Sequence, residues 1–210
     1  MYNFGISLII FLPALGFFIL NVFIPGPNVL NTIATSMGSG RSSGIACALA
    51  TGLGVIITSL ASLFGAAILF YKVPIIYTGM TFVGVFFLLY FAKRYIQKAL
   101  YHSAKLEVLQ NVDKKRAFKQ AFFVLIANPK MMTTWLAVIS LFPIVANNFY
   151  NIVIFSLMAG ITSFTGHFMF ATVFSTRVAS KIYMRLYKPI NGLVGLGFIF
   201  YSMKLLLGLF

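Results

Sequence analysis

The chain has 210 residues, 60% of them hydrophobic and only 9% charged. That excludes an ordinary soluble domain, in which about a quarter of residues are charged, and indicates a polytopic membrane protein. The formal net charge of +14 does not point to nucleic acid, because the basic residues gather in particular loops and carry no recognition motif. At ~20 residues per span plus loops, the length accommodates about six helices. The expected fold class is therefore an all-α membrane protein with six transmembrane helices, forming a single domain over residues 1–210. Cys47 is the only cysteine, so there is no intrachain disulfide and no Cys-x-x-Cys for redox or metal chemistry.

The first apolar run has no basic residue ahead of it, unlike a cleaved signal peptide, and reads as a retained span. Span 1 covers about residues 6 to 36. As one straight helix it would be ~46 Å long, against a hydrocarbon core of ~30 Å. Pro25 and Pro27 flank Gly26 inside it. Each proline removes a backbone donor, which strands the carbonyls of Asn21 and Phe23. Freed carbonyls in a membrane are tolerated where protein or a water-filled cavity satisfies them, so two half-helices are expected to meet here. The polar residues Asn28, Asn31, Thr32, Thr35 and Ser36 follow, and Gly40-Arg41 ends the span.

Span 2, about 44 to 70, carries Gly44, Ala48, Thr51, Val55, Thr58 and Ser62 on one face, which suits close helix packing. Span 3, about 75 to 91, is rich in Phe, Val and Leu. The basic stretch from Ala92 to Lys119 also holds Glu107 and Asp113, the only two acids; part of it is expected to lie on the membrane as an amphipathic helix, with anionic lipid as its partner. Span 4, about 120 to 146, has a second break at Pro129. Trp135, the only tryptophan, reads as a packing residue, with a pocket wall as the alternative. Span 5, about 152 to 174, presents Ser156, Gly160, Ser163 and His167 on one face, and span 6 runs from about Pro189 to the end.

The loops after spans 1, 3 and 5 carry 1, 8 and 4 Lys and Arg, against Lys72 alone on the other side. The positive-inside rule puts the basic loops in the cytoplasm, and six spans then leave both termini periplasmic. The two breaks lie at similar depth, about ten residues from the cytoplasmic ends of spans 1 and 4, or ~15 Å in. These spans open two three-span halves, residues 1–91 and 120–210, separated by the basic cytoplasmic loop 92–119. An odd number of spans makes the halves inverted, although no residue-by-residue repeat is visible. Interrupted helices at corresponding places in two halves point to a transporter site.

Lys130 is the sharpest single residue: a charge beside a helix break, with no acid in any span to neutralise it. A substrate carboxylate is a natural counter-ion; the alternatives are a deprotonated amine and snorkelling to the headgroups. The half-helix N-terminus after Pro27, with the Asn28 side chain, offers further donors to the same carboxylate. The candidate substrate-binding residues are Pro25, Gly26, Pro27, Asn28, Asn128, Pro129 and Lys130.

Pro-Gly-Pro, a polar residue, about ten residues and then Gly-Arg, paired with Asn128-Pro129-Lys130 about 100 residues later, resembles the lysine exporter (LysE) family, in its homoserine/threonine resistance (RhtB) branch. The resemblance covers nearly the whole chain in length and span count. It implies a small inner-membrane amino-acid exporter. The family usually has Asp after Pro-Gly-Pro where this chain has Asn28, which can only hydrogen-bond. That departure bears on substrate charge and on proton coupling, for which His167 is the replacement candidate, as an imidazole titrates near neutrality; the alternative is a hydrogen-bonded packing histidine.

The combined expectation is a secondary transporter in the bacterial inner membrane that exports an amino acid or related small zwitterion by alternating access. It needs no cofactor and binds no nucleic acid, and a homo-oligomer is left open. A non-transporting membrane partner or assembly subunit is the alternative from another class. A metal-ion exporter fits less well, since hard cations want carboxylates and the spans have none. No Ser/His/Asp set, His-Glu-x-x-His or carboxylate pair lies in the spans, so an enzyme is not expected.

Overall fold

The computed structural model describes residues 4–24, 26–72, 75–101 and 109–207. Among them every regular element is helical. Helix α1, Phe4–Phe23, stops just before the Pro-Gly-Pro segment, and α2, Pro27–Ser39, starts on its second proline. Proline suits the first helical position, where its missing N–H would have had no partner. Gly26 caps α2 in extended conformation, and Gly40 ends it at φ +86°, a left-handed backbone that favours glycine. The axis turns by 50° between Phe11–Phe23 and Pro27–Ser39.

Helix α3, Arg41–Lys72, and helix α4, Ile75–Tyr101, follow. A second bent pair and two long helices come after them. Helix α5, Lys114–Ile126, is capped by Asp113, whose carboxylate accepts from the Arg116 amide at 2.9 Å. Helix α6, Pro129–Leu141, follows a turn of 52°. After a 3-10 turn at Pro143–Ala146 come α7, Phe149–Val173, and α8, Arg177–Leu207.

Helix α3 packs against α7 on one side and α5 on another, α4 packs against α8, and α1 lies against α6 and α7. The α3–α7 contact is close because glycines face each other. A Cβ on Gly52 would stand 2.9 Å from the Phe164 Cβ and 3.2 Å from the Gly160 carbonyl oxygen. Gly44, Ala48, Thr51 and Val55, on the small-residue face expected of span 2, are all buried. Trp135 is a packing residue: it stacks on Phe18 with ring centroids 5.3 Å apart and donates from its indole to Thr58 at 3.2 Å.

Arg41–Ala67, within α3, and all of α7 are long and apolar enough to cross a membrane singly. Each bent pair counts as one further candidate, giving two to four crossings by length and composition among the described residues. The fold is all-α and multi-pass. Three boundaries differ from the sequence reading. Helix α5 begins at Lys114, inside the stretch 92–119 expected to be a loop. Helix α4 continues past residue 91 to Tyr101, so Lys93, Arg94 and Lys98 ride on its last turns. Helix α8 begins at Arg177 and runs through Pro189 rather than starting there. Beside that proline, Asn191 Nδ2 donates back to the Tyr187 carbonyl at 2.6 Å, giving an acceptor near the interruption a side-chain partner. Residues 102–108, which include Glu107 and Lys105, lie outside the described residues.

Candidate functional site

The two breaks open onto one another. Gly26 and Asn28 from the first, and Asn128 and Lys130 from the second, line a single small cavity, which His167 of α7 also lines. Pro25 lies outside the described residues. Pro27 and Pro129 contribute the first backbone positions of α2 and α6. Asn21 of α1, Val55 of α3, Leu125 of α5 and Ser163 of α7 supply further wall, so every helix except α4 and α8 reaches the site. The open space is about 20 Å³, room for one water-sized group.

Lys130 does not snorkel. It is 7% exposed, and its ammonium turns toward the severed end of α1, donating to the carbonyls of Asn21 at 2.8 Å and Ile24 at 3.2 Å. The Asn21 carbonyl is one of the two that the prolines were expected to strand. Carbonyls at a helix C-terminus carry the negative end of the helix dipole, so a cation placed there is favourable. Two of the three ammonium donors are thereby used. Gly26 lies against the side chain: a Cβ added there would be in ordinary van der Waals contact with Lys130 Cδ at 3.4 Å and Nζ at 3.5 Å.

The start of α6 is held rigidly. Asn128 Oδ1 accepts from the Lys130 amide at 3.0 Å, an N-cap on the same residue that caps α1. The Thr134 hydroxyl donates to the Lys130 carbonyl at 2.6 Å and accepts from Asn21 Nδ2 at 2.9 Å. Asn21 thus meets α6 through both its backbone and its side chain. The sequence reading used Asn21 only for its freed carbonyl; the signal for its larger role was an amide four residues before the first proline in an otherwise apolar helix.

Two residues of the cavity wall carry a buried acceptor that has no partner among the described residues. Asn28 Oδ1 and His167 Nε2 are buried without a hydrogen bond. His167 Nδ1 lies 2.9 Å from the Ser163 carbonyl. A carbonyl only accepts, so Nδ1 carries the proton and Nε2 presents a lone pair. The cavity therefore combines one ammonium, two helix N-termini and two unused acceptors, a set that suits a ligand bearing both signs of charge. Among the described residues no three His, Cys, Asp or Glu side chains gather as a metal would need. A larger space of about 160 Å³ opens beside Asn21, lined by Phe17, Leu20, Leu193, Phe198 and Tyr201 among others; its walls are apolar, and Leu20 and Leu193 are exposed.

Similarity to known proteins agrees with this architecture. The leucine efflux protein of Salmonella typhimurium (strain LT2) is 28% identical over 109 residues, 52% of this chain and 51% of that protein; the chain spans about half the length of these curated relatives. An uncharacterized membrane protein of Haemophilus influenzae is 22% identical over 190 residues, 88% of this chain and 90% of that protein. An uncharacterized membrane protein of Pseudomonas aeruginosa is 28% identical over 113 residues, 52% of each chain. No solved structure matches. Residues 19–208 match the profile of the LysE type translocators. Both breaks fall within that match, and the chain belongs to the LysE type translocator family.

Proposed function

We propose that this protein is a six-span secondary transporter that exports an amino acid or related small zwitterion across the bacterial inner membrane by alternating access. The observation that carries the reading is the convergence of two broken helices on one small cavity whose wall includes the buried polar residues Asn21, Asn28, Asn128, Lys130 and His167. Irregular backbone at membrane depth is costly unless it lines such a cavity, and half-helix ends that face each other are how transporters present dipoles and carbonyls to a substrate. Each half supplies one bent pair and two long helices. The pairing of α3 with α7 and of α4 with α8 supports an inverted three-plus-three repeat, with the connection between α4 and α5 cytoplasmic and both termini periplasmic.

The substrate lies between the breaks, with its carboxylate on the remaining Lys130 donor, and with Asn28, Asn128 and the Pro-Gly-Pro backbone around it. The space of about 20 Å³ corresponds to an occluded conformation that widens when one half rocks against the other. Basic residues at the ends of α4, α5 and α8 sit against anionic lipid. Because relatives are leucine efflux proteins, neutral aliphatic amino acids head the substrate list.

Efflux from loaded right-side-out vesicles tests this reading, with L-leucine first in a panel of all the common amino acids. At least one should leave faster than from vesicles without the protein. If none does, the transport reading fails and a non-transporting partner subunit becomes the better account.

A further inference from the structure

We propose that Asn28 Oδ1 and His167 Nε2 together form the end of the site that reads an α-amino group, so that the ligand is selected as an amine-bearing zwitterion and not merely as a carboxylate. The inference deepens the transport reading and rests on it for the substrate class.

Both atoms are buried acceptors without a partner among the described residues, in residues that are 8% and 3% exposed, and both residues line the cavity that Lys130 lines. A buried acceptor left without a hydrogen bond is costly, and such groups in a native protein are usually waiting for water, an ion or a ligand. The ligand must bring donors. A carboxylate brings none, whereas an ammonium brings three. The space of about 20 Å³ takes a water-sized group, and an ammonium head is that size.

The tautomer is fixed from behind. The Ser163 carbonyl holds the proton on Nδ1, so His167 cannot present a donor to the cavity without acquiring a positive charge. His167 is thus a specificity residue that accepts from the substrate, which differs from the proton-carrier role suggested by its titration range. The charges then alternate across the cavity. Lys130 stands on α6 and takes the carboxylate, while the acceptors stand on α2 and α7 and take the ammonium. A ligand with both groups satisfies both walls, and its own carboxylate separates its ammonium from that of Lys130.

The test is binding to the purified full-length protein in detergent, read by the fluorescence of Trp135. It is the only tryptophan and stacks on Phe18, which lines the cavity. The probes are three pairs, each an amino acid and the acid lacking its amino group: alanine and propanoate, valine and 3-methylbutanoate, phenylalanine and 3-phenylpropanoate. The protein should prefer the amino acid in at least one pair by tenfold or more, the scale of one charge-assisted hydrogen bond. His167→Phe and Asn28→Ala should each reduce that preference by about tenfold by weakening the amino acid and leaving the deaminated acid unchanged. His167→Gln, which keeps an acceptor, should retain part of it, and Asn28→Asp should increase it.

A purely structural role for these residues would weaken both members of a pair alike. Equal binding of both members of every pair, or an unchanged preference in Asn28→Ala, overturns the proposal; Asn28→Ala also serves if His167→Phe does not fold. Efflux in the vesicle panel with a preference that neither substitution moves removes the amino-group site and leaves the transport reading. The expected preference without any efflux does the reverse.

Discussion

Replacing Lys130 by Met separates the two jobs of this side chain. Met has similar length and flexibility but no donor. The substitution removes two hydrogen bonds, of 2.8 and 3.2 Å, from the end of α1. Bonds to charged groups contribute about 1.5–3 kcal/mol each, so about 3–6 kcal/mol is lost in gross terms. Against this, the variant no longer buries an ammonium, whose desolvation costs several kcal/mol. The two nearly cancel, and the net change should stay within about 3 kcal/mol of wild type. The protein should insert, purify as a single species and melt within about 12 °C of wild type. Efflux of every amino acid in the vesicle panel should disappear, since the carboxylate has lost its counter-ion. Lys130→Arg should be partly active at best: its planar fork is not a compact ammonium, and Gly26 already stands close to the side chain. Wild-type efflux by Lys130→Met would refute the reasoning and reduce Lys130 to a cap on α1.

Three further outcomes follow from packing and charge. Gly52→Ala should destabilise by about 1–3 kcal/mol, measured by thermal unfolding in detergent, because its Cβ would press on Phe164 Cβ at 2.9 Å, and an atom so near the backbone cannot swing aside. Ser39→Ala with Ser43→Ala should speed hydrogen exchange at Leu109–Val112: Ser39 holds the Leu109 carbonyl at 2.6 Å and the Val112 amide at 2.8 Å, and Ser43 holds the Val112 carbonyl at 2.8 Å; unchanged exchange would show that the clasp is idle. Single cysteines at Gln110 and Asn148, in a Cys47→Ala background, should differ in labelling by an impermeant reagent applied to intact cells, with Asn148 reactive and Gln110 protected; the opposite pattern would invert the topology.

The breaks were legible in the sequence because proline chemistry is local. Pro27 and Pro129 both stand at the first position of a helix, as a residue without an N–H should. Lys130 and His167 stood out because charge and imidazole are rare in apolar spans, and the structure brings both to one cavity. The direction of the Lys130 side chain was not legible. It depends on α1 ending beside α6, a tertiary contact that spacing along the chain does not encode. The long reach of α4 and the passage of α8 through Pro189 were missed for a related reason: the expected boundaries followed the apolar runs, whereas helices continue past the hydrocarbon wherever backbone bonding allows. The unpaired acceptors at Asn28 and His167 needed coordinates, because a missing partner is a property of the packed structure.

The account turns on the cavity between the breaks being where substrate sits. Single cysteines at Val29 and Met131, two buried positions that line it, can be placed in a Cys47→Ala background and exposed to a small water-soluble methanethiosulfonate reagent in membranes that retain efflux. Both should react slowly, and a saturating concentration of the exported amino acid should slow them severalfold further, while an amino acid that is not exported changes nothing. Reaction at one unchanging rate with every amino acid, in protein that still exports, would contradict the claim and move the substrate site elsewhere in the bundle.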